Sequence, residues 1–176
     1  PEIDLLAVTA TAGCVSGAVA TRNLQGIIER LDPSKWPRIG AAPELSNTDA
    51  DAAAKHDLVS QHEELNGRSG LGDLELRVAE LRSLHESSKL LIDIVRTHPH
   101  QVTLLTLGPL TNVAAACERA PDFMDLLGRL VCLGGSVSEG GDVTPVAEFN
   151  MCFNAEAAHI VLGNPLSTKT LIPLDI

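Results

Sequence analysis

A chain of 176 residues with 44% hydrophobic side chains has enough material for a buried core and does not have the composition of a disordered chain. Its net charge of −10 argues against general nucleic-acid binding, which rests on cationic surface. No apolar run reaches the roughly 18 residues of a membrane span, so neither nucleic acid nor membrane is an expected partner.

Residues 3–11 are apolar and partly β-branched and predict a buried strand, followed by a turn at Gly13-Cys14. Ser16 is placed to cap a helix to about residue 31, with Leu24, Ile27, Ile28 and Leu31 on its apolar face. Residues 37–42 predict a short strand. Residues 43–73 are polar and lack a clear period, which predicts a long excursion. Residues 77–82 read as irregular or helical. Ser83 and Glu86 have capping-box spacing ahead of a helix ending near residue 97.

Residues 102–107 predict a second strong strand, and Gly108-Pro109 opens a helix over about 110–119. Another helical turn follows at 122–127, then a strand at 130–133 running into Gly134-Gly135. Asn154 is placed to cap a helix over 155–162, and residues 168–174 predict the last strand. Strands alternating with helices imply an α/β fold with a mostly parallel sheet and helices on both faces. Ligands bind such sheets beyond the carboxyl ends of the strands. The loops after residues 13, 107, 134 and 174 qualify.

Four cysteines, Cys14, Cys117, Cys132 and Cys152, form no CxxC pair, which disfavours zinc. Nothing demands an oxidising compartment, so a cytoplasmic location is expected. The six histidines share no metal spacing, and no Gly-x-Ser-x-Gly is present. The 133–143 stretch, LGGSVSEGGDV, is not GxGxxG, so a nicotinamide-dependent oxidoreductase is a weakly supported reading. The stretch 65–75, LNGRSGLGDLE, reads either as a flexible loop or as a lid.

The stretch 144–162, TPVAEFNMCFNAEAAHIVL, is the most informative. Glu148 and Asn150 flank Phe149, and in an extended segment their side chains would point the same way. Together they offer acceptors and a two-proton donor, a set suited to neighbouring sugar hydroxyls. The alternative is a loop whose polar groups cap the following helix. In LTLGPLTNVAAA, residues 105–116, the Leu107 carbonyl at the strand end could bind a ligand or hard cation, or Gly-Pro could simply start a helix.

Taken in order, PEIDLLAVTATAG, ATRNLQGI, NGRSGLGD, LTLGPLTNVA, GGDVTPVAEFN, AEAAHIVL and LIPLDI resemble the inosine–uridine-preferring nucleoside hydrolases over essentially all 176 residues. The resemblance implies a Rossmann-like nucleoside hydrolase architecture and hydrolysis of the N-glycosidic bond of ribonucleosides to ribose and free base, as in nucleoside salvage. It implies a Ca²⁺ ion on the ribose hydroxyls and the attacking water. Homodimers or homotetramers are implied as well. Carried over, Leu107 would give a main-chain carbonyl to the metal. Glu148 and Asn150 would bind ribose hydroxyls, with Phe149 near the sugar or base. The family's general base lies in an Asp-rich segment expected before Pro1. Its acid lies in a His-Asp region expected after Ile176. Both are expected outside residues 1–176, which read as a single incomplete domain, the middle of a longer protein and inactive alone.

Three positions depart from the family pattern: Cys14 and Asp142 each stand where Asn is usual, and Asn66 where His is usual. They remain candidate substrate-binding positions, and they bear on specificity. A non-catalytic member that binds a ribosyl ligand, or a module of a larger protein, is the alternative.

Overall fold

The computed structural model describes residues 3–43, 52–72, 74, 76–78, 84–165 and 168–175, the side chains of 52–54 excepted. The chain divides into two compact units, Pro1–Leu90 and Leu91–Ile176.

The first unit contains β1 (Ala7–Thr9), α1 (Gly17–Leu31), β2 (Arg38–Ala41), α2 (Ala52–Asn66) and β3 (His85–Glu86). Its three strands are parallel in the order β1-β2-β3, with Val8 opposite Ile39 and Gly40 opposite His85. Ser16 caps α1 as expected, accepting from the Val19 amide, and Asp32 ends it in the left-handed region. The buried face of α1 is rotated from the predicted one. It carries Gln25, Gly26 and Ile28, while Ile27 and Leu31 are exposed. Gly26 explains the rotation, because a Cβ there would lie 2.9 Å from Leu76 Cβ. Leu76 thus approaches the helix over a residue without a side chain.

The 43–73 excursion contains the helix α2, which its lack of period did not suggest. Its Ala, Lys, Gln, Glu and Leu residues are strong helix formers in the absence of an amphipathic stripe. Glu86, expected inside a helix, lies instead in β3 and accepts from Ser88 Oγ at 3.0 Å. Ser83 of the predicted capping box, and residues 79–82, lie outside the described residues.

The unit boundary falls within α3 (Ser87–Thr97). The second unit continues with β4 (Thr103–Thr106), α4 (Thr111–Arg119), α5 (Phe123–Leu126), β5 (Arg129–Leu133), α6 (Phe149–Phe153), α7 (Ala155–Gly163) and β6 (Lys169–Ile172). Its strands are also parallel, in the order β4-β5-β6, with Leu104 opposite Leu130 and Leu130 opposite Lys169. β5 is the central strand, and its side chains alternate. Leu130 and Cys132 are buried, whereas Arg129 and Leu133 are exposed, as the two-residue period of a strand requires.

Leu130 and Cys132 join a core with Leu110, Val113 and Ala116 of the α4 region, Phe123 and Met124 of α5, and Val161 of α7. α4 packs on α7, and Asn154 ties their starts together. Its Oδ1 accepts from the Ala157 amide at 3.0 Å while its Nδ2 donates to Thr111 Oγ1 at 3.2 Å. Asn154 is therefore the cap that the sequence predicts for this helix. All four cysteines are free, Cys132 buried and Cys14 exposed. Among the described residues, no helix is long and apolar enough to cross a membrane.

Candidate functional site

The carboxyl ends of β4, β5 and β6 lie side by side in the second unit, and the candidate site is built on them. β5 ends at Leu133 and passes into Gly134 and Gly135, whose φ angles are 141° and 84°, a region glycine enters without steric cost. The Gly134 amide donates to the Ile172 carbonyl at 2.9 Å, and the Leu174 amide donates to the Gly135 carbonyl at 3.0 Å. The root of the loop is thereby stitched to the end of β6.

Glu148 and Asn150 face this root, but not by strand alternation. α6 begins at Phe149, so Glu148 is its N-cap in extended conformation and Asn150 is already helical. One carboxylate oxygen of Glu148, Oε2, accepts from the Met151 amide at 3.2 Å and from the Gly135 amide at 2.8 Å. Asn150 Nδ2 donates to the Leu133 carbonyl at 3.1 Å. Glu148 and Asn150 are 5% and 7% exposed. The helix-capping reading of this segment therefore holds for Glu148. The predicted extended geometry is replaced by a helix start that still aims both side chains at β5.

Asp142 closes the loop on the same helix: its Oδ1 accepts from the Phe149 amide at 2.7 Å. An Asn Oδ1 could accept in the same way, so the acceptor function at 142 survives the departure from the family pattern. Phe149 is buried and its ring lies 5.7 Å from that of Phe153, tilted by 47°. The loop leaves little slack here. A Cβ on Gly134 would lie 2.8 Å from Glu148 Oε2 and 3.1 Å from Asn150 Cβ. The negative charge of Glu148 reaches the core as well. Burial pushes the Cys132 thiol above its ordinary value, and Glu148 adds to the rise.

Leu107 follows β4 directly, one residue past Thr106, which pairs with Cys132 of β5. It is 67% exposed. Among the described residues, no loop amide or side chain donates to its carbonyl. Cys14 and Asn66 belong to the first unit. Cys14 sits exposed in the bend after β1. Asn66 ends α2, and its carbonyl accepts from the Gly72 amide at 2.8 Å. The two loops pack together, since a Cβ on Gly70 would lie 2.5 Å from Val15 Cγ1.

One residue was not singled out from the sequence. Asp175, just past β6, accepts from the amides of Val137, Ser138 and Glu139 and from Ser138 Oγ. The Ser138 amide, more than any other group, holds this carboxyl well below the usual carboxylate range. The available signal was an acidic residue directly after a strand in LIPLDI, in a chain whose preceding loop is rich in Ser and Gly.

A hard cation such as Ca²⁺ takes six to eight oxygen ligands. Among the described residues, no group of three or more His, Cys, Asp or Glu side chains could hold a metal ion. The Leu107 carbonyl alone does not make a calcium site, so the residues described do not fit that ion by themselves.

The sequence pattern of the inosine-uridine preferring nucleoside hydrolase family matches residues 1–176, the whole chain. The chain belongs to that family. It is 33% identical over 179 residues to the inosine-uridine preferring nucleoside hydrolase of Crithidia fasciculata, covering 100% of this chain and 53% of that protein. It is 34% identical over 162 residues to a non-specific ribonucleoside hydrolase of Escherichia coli, covering 92% of this chain and 50% of that one. A purine-preferring ribonucleoside hydrolase structure from Gardnerella vaginalis superposes with a TM-score of 0.86 at 26% identity, over 99% of this chain and 54% of that one. The chain thus has the α/β fold of nucleoside hydrolases, with parallel sheets and helices, and spans about half the length of the relatives it matches.

Proposed function

We propose that residues 1–176 are one incomplete nucleoside hydrolase domain, and that its intact protein hydrolyses the N-glycosidic bond of a ribonucleoside to ribose and free base. The observation that carries this reading is the pairing of Glu148 and Asn150 at the end of β5. Each is held by internal hydrogen bonds that use only part of its polar surface. Glu148 receives both amides on Oε2, and in the bonds among the described residues Oε1 takes no part. Asn150 donates through Nδ2, which leaves Oδ1 as an acceptor. Two fixed oxygens beside one strand end suit neighbouring hydroxyls of a ribose, and capping and ligand binding are not rivals.

In hydrolysis, water oxygen bonds to C1′ as the C1′–N bond breaks, and its electron pair and a proton go to the leaving base. Positive charge builds on the ribose, and the Glu148 carboxylate stabilises it. Fixed hydroxyls keep C1′ aligned with the incoming water. Phe149 supports the position of Asn150 by packing, and Asp142 holds the start of the same helix. Cys14 and Asn66 are proposed to bear on substrate specificity. Leu107 is proposed as one oxygen ligand of Ca²⁺ in the intact protein; the residues described do not complete a site for that ion, and no step is assigned to it.

The test is ribose release from ribonucleosides by the full-length protein. Asn150→Ala is expected to lower kcat/KM about tenfold to a hundredfold, the cost of a lost substrate hydrogen bond of about 1–3 kcal/mol. Wild-type rates in that variant would refute the assignment. The second reading is a ribosyl-binding member without turnover. Saturable ribonucleoside binding with no ribose released would establish it.

A further inference from the structure

We propose that Asp175 is a positioning residue of the ribosyl site: its carboxylate clamps the tip of the 134–142 loop and through it fixes Glu148 and Asn150. The role rests on the reading that these two residues hold the sugar. Three successive amides, of Val137, Ser138 and Glu139, converge on the one carboxylate at 3.1, 2.5 and 3.1 Å, and Ser138 Oγ adds a fourth donor at 2.9 Å. Consecutive backbone N–H groups of this kind form a concavity for an anion, and here the chain fills it with its own side chain.

The clamp is connected to the site at both ends of the loop. At the root, the Gly135 amide donates to Glu148 Oε2 at 2.8 Å, while the Gly135 carbonyl accepts from Leu174, the residue before Asp175. On the return, Asp142 holds the Phe149 amide at 2.7 Å. A loop fixed at tip, root and return leaves Glu148 one place to stand. Asp175 hydrogen-bonds the loop and not Glu148 or Asn150, so it acts through the loop rather than on the sugar.

The experiment compares the full-length wild type with Asp175→Asn and Ser138→Ala. Amide hydrogen exchange is read at residues 135–139 and 149–151, melting temperature is measured, and KM and kcat are determined for ribonucleoside hydrolysis. All four donors reach one oxygen, Oδ2; Asn keeps an acceptor there but exchanges charge-assisted hydrogen bonds for neutral ones of about half the strength, so D175N is expected to speed exchange at 137–139 by about tenfold or more. It is expected to raise KM by a similar factor with the melting temperature little changed. S138A removes one donor and is expected to move exchange and KM the same way by a smaller factor. Wild-type exchange at 137–139 in D175N overturns the clamp. Faster exchange with unchanged KM and kcat overturns the positioning role. Should D175N not fold, S138A decides by the same two criteria. A wild-type protein that neither binds nor hydrolyses ribonucleosides overturns the ribosyl reading and the positioning role with it, while the exchange data still decide separately whether the clamp exists.

Discussion

Glu148 does two jobs with one oxygen. By accepting from Met151 it satisfies an amide that the first turn of α6 cannot, and by accepting from Gly135 it joins that helix to β5. Glu148→Ala removes that oxygen and leaves both amides without their acceptor. We expect it to cost about 1–2 kcal/mol, the usual range for a lost N-cap, read from denaturant unfolding. Gly134→Ala tests the same joint from the other side. At φ 141° the added methyl meets Glu148 Oε2 at 2.8 Å and the side chain of Met151 at 3.0 Å, so ribonucleoside binding should fall more than the melting temperature does. That the side chains of 148 and 150 serve one place was legible in the sequence, and both meet the end of β5. Their geometry was not. Alternation assumes a strand, and TPVAEFN contains no local signal that α6 starts as early as Phe149. Asp175 was missed because three of its four donors are backbone amides, which leave no mark in a sequence.

Among the elements, those of the second unit with a clear period were read well, whereas β1 is shorter than the strand expected over 3–11, with Ile3 and Leu5 exposed, and α1 buries a different face. The strands β4, β5 and β6 and the helices α4 and α7 lie where apolar runs, Gly-Pro and Asn154 place them, within a residue or two. α2 and α6 carry no apolar stripe long enough to see: α2 is made of good helix formers with a polar pattern, and α6 has five residues. α6 is held by packing instead. Phe153 is almost wholly buried, so Phe153→Ala should cost about 3–5 kcal/mol, measured by chemical denaturation. A pH effect belongs to this scale too. Arg96 of α3 donates to both carboxylate oxygens of Asp122, just before α5, at 3.1 and 2.7 Å. These bonds hold the Asp122 carboxyl below its usual range. A depressed folded pKa gives stability that is complete above the unfolded value of about 3.9 and is lost as pH falls through the folded value. Asp122→Asn should therefore melt lower than wild type at pH 7, and the gap should narrow below about pH 4.

For the molecule as a whole, the resemblance carried what local pattern could not. Seven short stretches in the right order led to the family that matches residues 1–176, although few of them were decisive singly. Length and charge had only excluded classes of partner. The division into Pro1–Leu90 and Leu91–Ile176 left no trace in composition, because the boundary falls inside α3 rather than in a Pro- or Gly-rich linker. One prediction belongs here. Calcium titrated calorimetrically into the 176-residue chain should give no saturable heat at micromolar concentration, since the described residues supply no carboxylate cluster.

β5 is paired on both edges, its Leu130 and Cys132 lie in the core, and its last carbonyl anchors Asn150. Natural variation along that strand would be felt first as a shortage of folded molecules, long before any change in appetite for one nucleoside over another. Selection for a new preference would have to work through the exposed bend at 137–139, where a substitution can tilt the proposed ribosyl site and leave the core untouched.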